Sequence, residues 1–125
     1  MSTLKTSNIQ DTSGNNNSTP EQINQGRAKA WINFDGTSGS IGDGRDSFNV
    51  DSVTDEDVGK YTITFTNNMA NANYAVVISS NISGSNSNAA YERIESISTS
   101  NFKMRVIHTG AFKDTSIVCV AVFGD

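Results

Sequence analysis

The chain has 125 residues, enough for one domain with a real core but not for a second independent one. It carries a formal charge of −4, and its nine basic residues are scattered, which excludes the clustered Lys and Arg of a nucleic-acid surface. Ser, Thr and Asn make up 44 of the 125 residues; these small polar side chains favour turns and exposed strand faces, so little helix is expected.

Residues 1–18 hold almost no large apolar side chain beyond Leu4 and Ile9. The stretch TSGNNNST has the composition of a flexible linker, which cannot offset its own ordering entropy by burial. An extended N-terminal arm over 1–18 is therefore expected, with a neighbouring chain as the simplest candidate to hold it in place. MSTLKTSNIQDTSG has no basic segment leading into an apolar one, and no run approaches the ~18 apolar residues of a membrane span, so neither a signal-led crossing nor membrane insertion is expected. TPEQINQG then predicts a short helical joint over 19–28: Thr19 as N-cap, Pro20 at the first helical position, Gln22 closing a capping box, Gly26 ending it.

From Lys29 the pattern turns to alternation, and 29–125 reads as one β-domain. Ala30, Ile32 and Phe34 share a face; Phe48 and Val50 follow; Tyr61, Ile63 and Phe65 are set against Thr62, Thr64 and Thr66. Further strands are expected over 73–80, 91–97, 102–108 and 115–123, joined by turn-rich stretches with no room for crossover helices. The fold class is all-β: an antiparallel β-sandwich of about seven strands, jelly-roll-like or a meander. Two strands are apolar on both faces, SIVCVAVF and YAVVI. Leaving valines exposed forgoes roughly 1.5–3 kcal/mol each, so Val118, Val120, Val122 and Val77 are expected at a subunit interface, with a covering loop such as 35–45 as the alternative.

Chemistry is harder to find. The loop DGTSGSIGDGRD holds Asp35, Asp43 and Asp46, but its oxygen ligands do not alternate from the first Asp and no Glu closes the twelfth position, so it fails as a calcium loop. Four acids, Asp51, Asp55, Glu56 and Asp57, crowd one short stretch. A glycosidase pair needs two carboxylates across a cleft, one with a raised pKa; these sit in a turn-like context that keeps them ionised. His108 is the only histidine, so no multi-histidine metal site exists. Cys119, the only cysteine, lies in an apolar run as a small hydrophobe and allows no disulfide within one chain. No Gly-rich loop follows a strand and opens a helix. The expectation is a protein with no catalytic residue, metal or cofactor, and not an enzyme.

The runs GRAKAWINF, SFNV, GKYTITF and NANYAVV, within about residues 1–80, resemble the short tail-fibre-like proteins and fibre C-terminal modules of tailed phages, particularly those of marine cyanobacteria. The resemblance implies a trimeric, β-rich virion appendage, assembled in the host cytoplasm, with an N-terminal segment that docks on other virion proteins of the tail or capsid and a β-domain that faces the host. Here GTSGSIGDGRD is longer than the family's loop at that place, and no site residue is carried over. The alternatives are a head-decoration or tail-completion protein that touches no receptor, and a small carbohydrate-binding module.

If consecutive strands alternate in direction, loops 35–45, 67–73 and 98–101 share the end far from the arm, and 54–59, 81–90 and 109–114 share the arm's end. Receptor contact, with a host surface glycan or protein, is then expected at Asp43, Arg45, Asn68, Asn71 and Asn101, whose polar groups suit sugar hydroxyls.

Overall fold

The computed structural model describes residues 1–42, 44–81 and 90–124. Its helix α1 (Pro20–Gly26) starts where the capping residues put it. Thr19 Oγ1 accepts from the Gln22 N–H at 3.2 Å, and the Gln22 side-chain carbonyl accepts from the Thr19 N–H at 2.9 Å, so two donors of the first turn are satisfied reciprocally. The helix buries none of its residues, and residues 1–17 before it are all exposed. The arm instead folds on itself: Ile9 and Ser18 exchange two backbone hydrogen bonds of 2.8 Å. Asp11 Oδ1 ties the loop between them by accepting from the Ser13 and Asn15 N–H groups.

The body is an all-β sandwich. Its strands are β1 (Ala30–Phe34), β2 (Asp46–Phe48), β3 (Val50–Asp57), β4 (Lys60–Phe65), β5 (Ala75–Ser80), β6 (Ala90–Ile97), β7 (Asn101–His108), β8 (Ala111–Phe112) and β9 (Val118–Phe123). They form two antiparallel sheets, ordered β2-β1-β9-β5 and β3-β4-β7-β6, with the short β8 also pairing with β7. The strand count exceeds the expected seven by two, because the stretch around Phe48 and Val50 is two strands in two sheets and because β8 forms within the expected connection 109–114. Asn49, between them, adopts φ 54°, a left-handed conformation that Asn tolerates better than other side chains with a Cβ. The chain turns there and passes from one sheet to the other. The stretch of acids thus belongs to strand β3 rather than to a connection between strands.

Between the sheets lie Ile32 and Phe34 from β1, Tyr61 and Ile63 from β4, Phe102, Met104 and Val106 from β7, and Val118 and Val122 from β9, all essentially inaccessible. Phe65 packs edge-on against Tyr74, ring centroids 5.6 Å apart, and Tyr61 against Phe34 at 5.1 Å. Val118, Val120 and Val122 are 0 %, 5 % and 1 % exposed, which corrects their expected place at a subunit interface. Strand β9 sits between β1 and β5, so its even-numbered side chains point into the sandwich and Cys119, Ala121 and Phe123 face outward. Val77, in contrast, is 58 % exposed.

At the end away from the arm, Asp114 closes the sandwich. Its Oδ1 accepts from the Tyr61 hydroxyl at 2.7 Å and from the Gly59 N–H at 2.7 Å, and the Tyr61 hydroxyl also lies 3.3 Å from the Gly36 carbonyl. Burial, and then the Asp114 carboxylate, push the Tyr61 hydroxyl pKa far up, so it remains a donor. Gly59 has φ 64°, and a Cβ there would stand 2.6 Å from the Val106 carbonyl oxygen and the Lys113 nitrogen. No other residue fits. Tyr61→Phe removes a buried hydrogen bond to a carboxylate and should cost about 1.5–3 kcal/mol in urea unfolding. Gly59→Ala should cost at least as much, since it adds left-handed strain to the clash.

Candidate attachment cleft and outward faces

The two ends of the sandwich follow from contacts between loops. Asn49 joins Lys29 to Asn67, and the Tyr74 hydroxyl donates to the Ser98 and Asn101 carbonyls, so the loops over 66–74 and 98–101 lie at the arm's end. Gly36, Tyr61 and Asp114 meet at the far end. Loop 35–45 keeps its expected position; the strand switch at Asn49 reverses the parity of the connections 54–59, 67–73, 98–101 and 109–114, while residues 82–89 of the connection 81–90 lie outside the described residues.

The expected receptor residues therefore do not come together. Asp43 lies outside the described residues. Arg45 is at the far end, and its guanidinium is engaged within the chain: Nη1 donates to Asn33 Oδ1 at 3.0 Å, and Nη2 donates to Asp35 Oδ2 at 3.1 Å and to the Ser116 carbonyl at 2.6 Å. It holds the 35–45 loop against β1. Asn68, Asn71 and Asn101 are at the arm's end; Asn68 is exposed, Asn71 Oδ1 accepts from the Asn73 N–H, and Asn101 Nδ2 donates to Ser100 Oγ. Loop 35–45 does not cover the outward face either. Gly42 accepts from the Val53 N–H and Ile41 is buried, so the loop fills the open side between the sheets.

The acids of β3 are surface groups. Glu56 Oε1 accepts from the Thr62 hydroxyl at 2.7 Å and from Lys103 at 3.3 Å, and Asp57 Oδ2 accepts from Lys60 at 2.9 Å. The Thr62 hydrogen bond, and after it Lys103, hold the Glu56 carboxyl below its usual range; the Lys60 ammonium does the same for Asp57. Neither can serve as a proton donor near neutral pH. Among the described residues, no three His, Cys, Asp or Glu side chains are grouped as metal ligands. Among the described residues His108 Nε2 is buried without a hydrogen-bond partner, and Cys119 is half-buried beside the Asn33 amide.

The two outward faces differ. On the β3-β4-β7-β6 sheet, Glu56–Lys103, Asp57–Lys60 and Glu95–Arg105 pairs make a solvated, charged surface. On the other sheet, Phe48, Trp31, Ala121 and Val77 stand in one cross-strand row without a charge. Phe48 is 54 % and Trp31 37 % exposed. At the Phe48 end of this row opens a cleft of about 340 Å³, lined by Arg27, Lys29, Phe48, Asn49, Thr66 and Asn67. An exposed ring, side-chain amides, a hydroxyl and two cations meet there, a combination suited to a small polar ligand with one apolar face. The residues of this cleft are far apart in the chain, and the sequence gave no signal of it: Phe48 reads there as an apolar partner of Val50, whereas it stands 54 % exposed while Val50 is buried.

Comparison with known proteins identifies no matching family model, no curated protein and no solved structure.

Because Glu56 and Asp57 are held below their ordinary values of 4.5 and 3.8, the unfolded chain takes up protons before the folded one does. Their contribution is complete above those ordinary values and is lost as pH falls through the lowered folded ones. Urea midpoints recorded from about pH 6 down to about pH 3 should therefore fall, and the Glu56→Gln, Asp57→Asn double variant should flatten that decline. An unchanged slope would remove these two carboxylates from the account of acid stability.

Proposed function

We propose that the chain is a non-enzymatic virion structural protein, a tail fibre or appendage of a tailed phage that assembles as a homotrimer and serves attachment to the host surface. One observation carries this reading. The arm leaves Leu4 and Ile9 at 84 % and 52 % exposure and helix α1 leaves Ile23 at 42 %, while the uncharged row from Phe48 to Val77 stands open on the body. Such surfaces belong to a chain that meets neighbours. The likeness of GRAKAWINF, SFNV, GKYTITF and NANYAVV to fibre modules supplies the kind of assembly, with the arm docking on other virion proteins. A decoration or tail-completion protein would share these features and differ only in its place on the particle.

The cleft beside Phe48 favours sugar recognition as the means of attachment, and equally a small carbohydrate-binding module. A pyranose would stack its C–H face on Phe48, with Thr66, Asn67 and Arg27 taking its hydroxyls.

Light scattering on the purified chain should give three times 13.4 kDa; a monomer at all concentrations would overturn the assembly. Antibody labelling of particles should mark the tail tip or fibres, and labelling of the head would favour the decoration reading. On a glycan array, Phe48→Ala should lose at least tenfold in binding while Arg45→Ala, at the opposite end, keeps it.

A further inference from the structure

Apart from the two-residue β8, the described residues form four edge strands, and three are guarded against pairing with another chain. Strand β2 is only three residues long and carries Asp46. Strand β3 carries Asp51, Asp55, Glu56 and Asp57 and is interrupted by register shifts at Val50/Ser52 and Asp55/Asp57. Strand β6 carries Glu92, Arg93 and Glu95 and a register shift at Ile94/Ser96. Short length, charge and bulges are the devices that keep an edge from recruiting a further strand. Strand β5, Ala75–Ser80, has none of them: its sequence AVVISS is uncharged and without proline, and its pairing with β9 runs unbroken over six residues.

The free hydrogen-bonding groups of that edge can be named. An antiparallel ladder turns alternate residues toward the partner strand. Asn81 donates its N–H to the Ile117 carbonyl at 3.0 Å, so Ala75, Val77 and Ser79 also face β9, and Val76, Ile78 and Ser80 face outward. The outward N–H of Ser80 is taken by Glu92 Oε1 at 2.8 Å. Val76 and Ile78 have no such acceptor among the described residues.

We propose that the edge of β5 takes a strand from the N-terminal arm of a second copy of this chain. The inference rests on the assembly reading above and names its contact. The surface area supports a partner of the same kind. A compact monomer of 13.4 kDa exposes roughly 6,500 Å², whereas this chain exposes 7591 Å². The surplus, on the order of 1,100 Å², exceeds the ~800 Å² that each partner commits to an interface of standard size. The arm carries much of that surplus, since residues 1–17 are all exposed. Main-chain pairing at Val76 and Ile78 supplies the attachment, and the neighbouring row of Val77, Ala121 and Trp31 receives the arm's apolar side chains Leu4 and Ile9. Because donor and acceptor are different parts of one chain, the contact can run head to tail, and a three-fold ring is the closed form of such a contact that the assembly reading calls for.

The test uses two variants whose changes lie on exposed residues: deletion of residues 2–8, which removes the donor, and Val77→Lys, which guards the acceptor. Each alone should run as a monomer in light scattering, and a 1:1 mixture should form a heterodimer, because the arm of the Val77→Lys chain can still reach the intact β5 of the deleted one. In the unmodified oligomer, amide exchange at Val76 and Ile78 should be at least tenfold slower than in either variant. A deletion variant that stays assembled, a mixture that stays monomeric, or unprotected Val76 and Ile78 in an intact oligomer would overturn the contact and leave the assembly standing. An unmodified chain that is monomeric at every concentration would overturn both.

Discussion

Asn49 is the point on which the architecture turns. Its side-chain Nδ2 donates to the Lys29 and Asn67 carbonyls, both at 3.1 Å, and its Oδ1 accepts from the Asn67 N–H at 2.8 Å and the Asn67 Nδ2 at 3.2 Å. That is the full capacity of an amide, two donors and two acceptor positions. One clamped residue thereby ties the start of β1 in one sheet to the end of β4 in the other and forces the intervening chain to change sheets. The direction of every later strand, and so which loops share an end, depends on it. The cleft beside Phe48 exists because this corner is held open by Lys29 and Arg27 on one side and Thr66 and Asn67 on the other.

The parts that could be read from the sequence are those governed by local rules. The capping box at Thr19 and Gln22 formed as spacing demands, and period-two alternation located the strands around Ile32, Ile63 and Met104. Asn49 could not be read in advance, because FNVDS alternates smoothly through it and nothing local distinguishes a continuing Asn from a left-handed one. The valines of β9 failed for a related reason. A strand apolar on both faces says that both are covered but not which face meets the core, and only pairing with β1 and β5 decides that Val118, Val120 and Val122 point inward. The cleft was beyond reach, since it joins residues of three separate segments.

The acids of β3 acquire a different meaning from their position. Four carboxylates along one edge strand repel any second strand that approaches it, and their partners Thr62, Lys60 and Lys103 keep two of them ionised. Charge on this molecule marks surfaces to be left alone, on the β3 edge and across the β3-β4-β7-β6 face. The uncharged remainder, β5 with the row from Phe48 to Val77, is correspondingly the part proposed to carry contact.

Strand β1 lies between β2 and β9, so the sheet nearest the arm cannot be completed until the strand most distant in sequence has been made. Ile32 and Phe34, at the centre of the core, wait for Val118, Val120 and Val122. During synthesis the early part of the chain is therefore an apolar strand without its main partner, and folding must close one of the longest loops the chain allows. A growing chain in that state is open to premature pairing with its siblings. The arm and the unburied helix ahead of β1, rich in Ser, Thr, Asn and Gln, keep hydrated side chains beside it during that interval.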